Sequence, residues 1–304
     1  MPSQTMFNPS MSKVFSERTY LLKEQTWWES FAENLPLIRE EPCVTRLEKQ
    51  ITPAVVIGAG PSVDSSKLEK LKEFSGRIFV SDRMLSTVLD IGLDPFAAAS
   101  LDGDPSVASF YKQPSVTEYV NGLNICLATY VHPSVVEACN GFKRFWFNVM
   151  FDNPETAEVS LSRAMFWMTK GRILSNGFGN VGGWLFSLAN ELESTPIILL
   201  GIDMSYGADV APMQTTYWRG LLERYKGDKK KVIKECYRYE TNPFGRRVLT
   251  DTVFSSYRDT LLKGIEATKA KVWNCSPNSI VYGKGVECMT LDEALRGSDN
   301  GIGY

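Results

Sequence analysis

The sequence contains a single histidine, His132, among its 304 residues. Histidine is the commonest metal ligand in proteins and the usual base of hydrolytic triads. One chain therefore cannot build a histidine-rich metal centre. Any Ser-His-Asp triad within the chain would have to use His132.

Cysteine is sparse too, and its spacing carries no motif. None of the six cysteines forms a C-x-x-C pair, so a zinc site or a redox motif has little support. Reduced thiols in a cytoplasmic protein are the expectation.

Long apolar runs and an excess of basic charge are also missing. The longest apolar candidate, Pro196–Ile202, has the length of a strand, and residues 1–20 lack the apolar segment of a secretory signal. We therefore expect no membrane span and a cytoplasmic location. The formal net charge of −2 argues against a nucleic-acid partner, and the lysine-rich stretch 226–234 is expected to be a solvated surface.

The chain divides into a helical extension, residues 1–48, and a larger domain, residues 49–304. In the extension, Trp27, Phe31 and Leu35 give a helix one apolar face, and Pro36 and Pro42 are expected to end that helix.

The larger domain alternates strands with helices. The predicted strands are 53–57, 77–81, 94–101, 124–129, 143–148, 196–202 and 271–275. This alternation predicts an α/β fold with a mostly parallel sheet and helices on both faces. Ligands of such sheets bind beyond the carboxyl ends of the strands. Segment 207–250 reads as polar and irregular, and we interpret it as a lid or an insertion, with a mobile surface loop as the alternative.

A glycine-rich loop, Gly58, Ala59, Gly60, Pro61 and Ser62, follows the first strand and precedes a helix. Glycines let a backbone approach an anion closely, and a helix start offers free N–H groups. The loop is neither G-x-G-x-x-G nor a Walker A motif. Phosphate binding and a plain tight turn are both open.

Three aspartates follow the next two strands, and they would face the same crevice. Asp102 and Asp104 form a D-x-D pair that could hold Mg²⁺, while Asp82 could bind a ribose hydroxyl. Turn capping is the alternative for each.

Further candidate binding and catalytic residues lie before and after the strand at 196–202. Gly179 and Asn180 open the helix before it, where they could hold an anion or let the helix pack closely. Asp203 and Tyr206 follow it and are candidate catalytic residues, with a buried aromatic as the alternative for Tyr206. His132 is a candidate general base, although a lone histidine is more often structural.

Several of these stretches together resemble a known family. Residues 53–62 resemble the opening of the MptE-like domain, which motility accessory factors (Maf proteins) share with archaeal 6-hydroxymethylpterin diphosphokinases. Residues 179–181 with 197–203 resemble a Maf helix start and strand end, and residues 273–279 with 291–295 resemble the Maf carboxyl end. Bacterial sialyltransferases that use CMP-sialic acid share similar short elements.

The resemblance implies a Rossmann-like nucleotide-binding fold, and Mg²⁺ is the one cofactor that the sequence suggests. Its Maf branch implies transfer of a nonulosonic acid from a CMP donor to a glycan or protein hydroxyl. Residues 58–62 would hold the donor's phosphate and ribose, and Tyr206 would contact phosphate. The implied nucleotide contacts further include Asp82, Asp102, Gly179, Asn180, Ser276 and Asn278.

Two departures keep other functions open. The sialyltransferases carry a catalytic histidine after the strand ending at Asp203, and this chain has none there. The pterin kinases carry Ala-Asp-Gly where this chain has Ser81-Asp82-Arg83. A Mg²⁺-dependent diphosphokinase and an inactive nucleotide-binding module are therefore the alternatives to a glycosyltransferase.

Overall fold

The structure, a computed structural model, describes residues 9–119, 122–150, 160–171, 174–175 and 177–300. Residues 1–8, part of the segment predicted to lack a secretory signal, lie outside this description. Within the described residues, no helix combines the length and the apolar character needed to cross a membrane.

The strands and helices alternate along the chain as the sequence predicts. The strands are β1 (Ala54–Ile57), β2 (Arg77–Ser81), β3 (Ala97–Ser100), β4 (Asn124–Ala128), β5 (Lys143–Val149), β6 (Leu174–Ser175), β7 (Ile197–Leu200), β8 (Tyr206–Gly207), β9 (Tyr237–Thr241), β10 (Arg247–Asp251), β11 (Val272–Asn274) and β12 (Val286–Cys288). The helices are α1 (Pro9–Glu40), α2 (Ser65–Glu69), α3 (Asp82–Asp90), α4 (Ala108–Tyr111), α5 (Pro114–Thr117), α6 (Pro133–Ala138), α7 (Leu161–Met168), α8 (Val181–Glu191), α9 (Trp218–Arg224), α10 (Lys229–Cys236), α11 (Thr252–Ala267) and α12 (Leu291–Asn300).

The main sheet has the strand order β12-β11-β7-β1-β2-β3-β4-β5-β6, and every neighbouring pair is parallel. All residues of β1, β2, β3 and β7 are buried, as expected for strands covered by helices on both faces. The predicted Rossmann-like α/β fold is confirmed.

The strand order reverses beside β1. The chain runs outward from β1 through β6 and then returns to place β7 on the other side of β1. The carboxyl ends of β1 and β7 therefore form the topological switch point, the usual ligand position of such sheets.

The prediction that segment 207–250 is irregular was wrong. Strands β8, β10 and β9 form an antiparallel sheet, and α9 and α10 pack on it. A small separate core holds this unit together, formed by Leu221, Val232, Cys236, Tyr237 and Leu249. Five buried residues spread over short elements give no clear periodicity, which explains why the sequence pattern did not predict the unit.

The helical extension is confirmed as a helix. Pro36 was wrong as its predicted end, whereas Pro42 lies just beyond its last residue. Helix α1 continues through Pro36 to Glu40, and Trp27 and Phe31 are buried in the main core. The chain after α1 is tied to β5, where the Trp146 amide donates to the Pro42 carbonyl at 2.9 Å.

Candidate functional site

The predicted phosphate loop, residues 58–62, lies at the switch point and is bonded to the end of β7. The Gly58 amide donates to the Leu200 carbonyl and the Gly60 amide to the Gly201 carbonyl, each at 2.8 Å. A Cβ on Gly58 would lie 2.5 Å from the Gly201 oxygen, and one on Gly60 would overlap the Asp203 carboxylate. Close packing on β7 therefore requires these two glycines, whether or not a ligand binds.

Asp203, predicted as catalytic, is bound to the same loop. Its carboxylate accepts hydrogen bonds from the Ser62 backbone amide at 3.0 Å and from the Ser62 hydroxyl. Both residues are only 2% exposed. Burial raises the pKa of Asp203 to about 6, opposed by the hydrogen bonds from Ser62. The geometry favours a positioning role, because each carboxylate oxygen already has a donor.

Among the described residues, the amide of Ala59 is the one in this loop that is left without a partner. Pro61 has no N–H, and the Val63 amide just beyond donates back to the Gly60 carbonyl at 3.2 Å. Ala59 and Pro61 are exposed, so this part of the loop faces solvent. Any anion held by the backbone would therefore be bound mainly at Ala59.

The second glycine-lined turn lies at the same edge of the sheet. Asn180 caps α8 by accepting from the Gly183 amide at 2.9 Å, and a Cβ on Gly179 would overlap the Tyr257 ring. The side chain of Ile202, which is 4% exposed, contacts the Cβ positions of both Gly58 and Gly182 at 3.2 Å. The two turns converge, and Ile202 separates them.

Asp82 is the first residue of α3 and is nearly buried. Its Oδ2 accepts from the Ser100 hydroxyl at 2.5 Å, and the Ser100 oxygen lies 2.9 Å from the Tyr111 hydroxyl. Burial raises the pKa of Asp82 to about 6, and the hydrogen bond from Ser100 opposes this shift. The Arg83 amide donates to its Oδ1 at 2.7 Å, so both oxygens of this buried carboxyl group have donors.

Asp102 and Asp104, the predicted magnesium ligands, stabilise their own turn. Oδ1 of Asp102 accepts from the Asp104 amide at 3.1 Å and from the Lys23 ammonium at 3.2 Å, and Asp104 Oδ1 accepts from the Ser106 amide at 2.9 Å. Within the described part of the chain, no group of three acidic, histidine or cysteine side chains is arranged to hold a metal ion. A further side-chain hydrogen bond from Ser106 lowers the pKa of Asp104, so this carboxylate is used within its own turn.

Tyr206 and His132 also have polar contacts of their own. The Tyr206 hydroxyl donates to Asp251 at 2.9 Å, and Asp251 is fully buried at the start of α11. The His132 Nδ1 atom accepts from the Ser134 amide at 3.1 Å. In the neutral ring the proton is then on Nε2, which leaves no lone pair for a general base.

Ser276 and Asn278 lie in the loop after β11, which contacts both strands at the switch point. The Ser276 hydroxyl accepts from the Gly201 amide at 2.9 Å, and the Asn278 amide donates to the Ser62 hydroxyl at 2.9 Å. The resemblance implied that both residues contact the nucleotide. Ser276 is fully buried and connects strands, whereas the Asn278 side chain is half-buried near the loop.

A family model described as 6-hydroxymethylpterin diphosphokinase MptE-like matches residues 29–209. The chain belongs to the MptE-like family. No curated protein matches this MptE-like chain.

A solved structure similar to this MptE-like chain is that of the Maf glycosyltransferase from Magnetospirillum magneticum AMB-1. The two share 16% sequence identity with a TM-score of 0.59, over 84% of this chain and 37% of the other. This chain thus spans little more than a third of its structural relative. At this identity the likeness concerns the fold.

Sequence reasoning missed three residues of the candidate site. Ile202 separates the two glycine turns, Lys67 donates to the Ser62 carbonyl at 2.7 Å, and Arg246 donates to Asn278 Oδ1 at 3.1 Å. Lys67 and Arg246 both lower the pKa of Asp203 by their charge. The spacing of Lys67 after the glycine loop was a usable signal, whereas Arg246 lies in the segment interpreted as irregular.

Proposed function

We propose that this MptE-like chain is a transferase that moves a nonulosonic, sialic-acid-type sugar from a CMP-activated donor to a glycan or protein hydroxyl. The observation that supports it most is the position of the glycine loop, with its exposed Ala59 amide, at the switch point of a parallel sheet, where nucleotides bind in such folds. The likeness in fold to the Maf glycosyltransferase points in the same direction.

In this reaction the bond between the anomeric carbon and the phosphate oxygen breaks, and CMP leaves. The acceptor oxygen then bonds to that carbon and loses its proton to a base. The protein mainly has to position the sugar donor and to stabilise the negative charge that develops on the phosphate of the leaving CMP. We assign the Ala59 amide and the Asn180 turn to the donor, and Asp82, Asp203 and Tyr206 to positioning, because the oxygens of these three side chains already have partners in the fold.

The family description supports a second candidate, a diphosphokinase that moves a diphosphate from ATP to 6-hydroxymethylpterin. That reaction would use Mg²⁺ held by the carboxylates of Asp102 and Asp104, because carboxylate oxygens suit a hard cation. The cation would neutralise charge on the phosphates. Competition with the Lys23 ammonium, which is bound to Asp102, weakens this candidate.

The test incubates the full chain with a CMP-activated nonulosonic donor and a panel of glycan and peptide acceptors, with and without EDTA. We expect CMP release that persists in EDTA. A parallel reaction contains ATP, 6-hydroxymethylpterin and Mg²⁺. AMP formation that EDTA abolishes, without CMP release in the first reaction, would establish the kinase instead. Nucleotide binding with no turnover in either reaction would indicate an inactive binding module.

A further inference from the structure

The hairpin between β9 and β10 ends in a turn that one buried side chain shapes. Asn242 is only 4% exposed, and its Oδ1 accepts from the Phe244 amide at 3.1 Å and the Arg246 amide at 3.0 Å. A buried asparagine that binds its own turn fixes the backbone of the residues that follow. The position of the Arg246 backbone is therefore set from within the hairpin.

The same asparagine ties the hairpin to the loop after β11. Its Nδ2 donates to the Pro277 carbonyl at 2.8 Å and to the Ser279 carbonyl at 3.1 Å. The next link is the Asn278 amide, which donates to the Ser62 hydroxyl at 2.9 Å. Through these bonds the hairpin tip is held beside the glycine loop, although the two are far apart in sequence.

The arginine at this tip has unused hydrogen-bonding capacity. Arg246 is exposed, its Nη1 donates to Asn278 Oδ1, and among the described residues no carboxylate lies within ion-pair distance of it. Its charge still reaches the buried Asp203 and lowers the pKa of that carboxyl group. A guanidinium has five N–H donors in a fork that matches phosphate oxygens. Most of that fork is free.

Lys67, the cation on the other side of the loop, is differently placed. Its ammonium donates to the Ser62 carbonyl and forms an ion pair with Asp64. Two acceptors already surround this charge, so it stabilises the loop before any ligand arrives. Arg246 is the better placed of the two to receive an anion.

We propose that Arg246 binds the phosphate of the nucleotide donor at the mouth of the glycine loop. This rests on the proposed function, because it takes the donor to lie at the switch point. Arg246 would bind the phosphate oxygens with its free N–H groups while the exposed Ala59 amide contacts the same group. The inserted unit of residues 206–251 thereby supplies a specificity residue for a phosphorylated ligand.

The chain offers a matched control in the next residue. Arg247 is also exposed, but its guanidinium lies over the Tyr239 ring, with 4.5 Å from Cζ to the ring centroid. Each substitution to glutamine removes one positive charge from the same hairpin. The Asn242 bond uses only the Arg246 backbone, so Arg246→Gln leaves that bond in place.

The experiment measures binding of CMP, cytidine and inorganic pyrophosphate to the wild-type chain, Arg246→Gln, Arg247→Gln and Arg246→Lys by calorimetry at low salt. We expect Arg246→Gln to weaken CMP and pyrophosphate binding by about tenfold, and Arg247→Gln by less than about twofold. Arg246→Lys should be intermediate, because lysine keeps the charge without the fork. Cytidine, which has no phosphate, should bind all four proteins equally.

The outcomes separate this inference from the proposed function. Equal loss of CMP and pyrophosphate binding in Arg246→Gln and Arg247→Gln, or no loss in either, would overturn the role of Arg246. Binding that depends on Arg246 in a chain without CMP release would support that role and contradict the proposed transfer. A wild type that binds neither probe would overturn both. Unchanged melting temperatures of the variants verify that they are folded.

Discussion

Ser62 holds the carboxylate of Asp203 at both oxygens, with its backbone amide on one and its hydroxyl on the other. The Ser62 amide, one of the predicted phosphate donors, is therefore already hydrogen-bonded to a carboxylate of the protein. This contact holds the glycine loop, residues 58–62, in its conformation without a ligand. A nucleotide-sugar donor that binds at this edge would contact a preformed loop, so little binding free energy would be lost in ordering the loop.

Replacing Ser62 should therefore destabilise the whole switch point. In Ser62→Ala, Asp203 loses a donor and the Asn278 amide loses its acceptor, and we expect a loss of about 1–3 kcal/mol in the free energy of unfolding. The matched control is Ser66→Ala, because the Ser66 hydroxyl bonds Asp64 at an exposed site. Its effect should stay within about 0.5 kcal/mol. Urea denaturation of both variants checks this, and equal midpoints would contradict it.

The glycine at position 60 should not tolerate a side chain. A Cβ there would overlap the Asp203 carboxylate and lie 2.7 Å from the Gly201 oxygen, so Gly60→Ala should cost about 1–3 kcal/mol by overpacking. Gly220→Ala is the control, since nothing lies within 4 Å of its Cβ position in α9. There alanine should stabilise by up to about 1 kcal/mol. Opposite shifts in melting temperature are expected, and a shared sign would refute the packing explanation.

The sequence predicted the sheet well because of the physics of buried parallel strands. Strands covered on both faces are short apolar runs, and β1, β2 and β7 stand out for that reason. Strands β6 and β12 were missed because two or three residues form no detectable run. The position of the glycine loop, at the carboxyl end of the sheet, could be predicted because the loop directly follows β1.

The contacts of the site could not be predicted in the same way. Ser62 and Asp203 are 141 residues apart, and nothing in either segment shows that they pair. Arg246 was missed because the turn that holds it depends on Asn242 reaching a loop 35 residues later. Such pairings arise from tertiary packing, which periodicity and composition do not encode.

Tyr206 should act through Asp251. Its hydroxyl donates to a fully buried carboxylate that also caps α11, so Tyr206→Phe leaves one Asp251 oxygen short of a donor. We expect a loss of about 1–2 kcal/mol in unfolding free energy, with CMP affinity changed by less than about twofold. The exposed Tyr239, in Tyr239→Phe, is the control. Weaker CMP binding at unchanged stability would instead show that the Tyr206 hydroxyl contacts phosphate.

Asp82 should make stability depend on pH in an unusual direction. Its pKa is about 6 in the folded chain against an ordinary value of 3.8, because burial disfavours the charged form. Between these two values the folded chain binds more protons than the unfolded chain, so raising the pH lowers the free energy of unfolding. The penalty approaches about 3 kcal/mol above the folded-state pKa and vanishes below the unfolded one.

Asp82→Asn removes this titration while keeping the shape of the side chain. The free energy of unfolding of the variant, relative to wild type, should therefore rise by up to about 3 kcal/mol between about pH 4 and about pH 7.5. Asp90→Asn, at the exposed far end of α3, is the control and should show a much smaller change. Denaturation curves at the two pH values measure both differences. A pH-independent difference for Asp82→Asn would mean that this carboxyl group is ionised in the folded chain at both pH values, held so by the hydrogen bonds from Ser100 and the Arg83 amide.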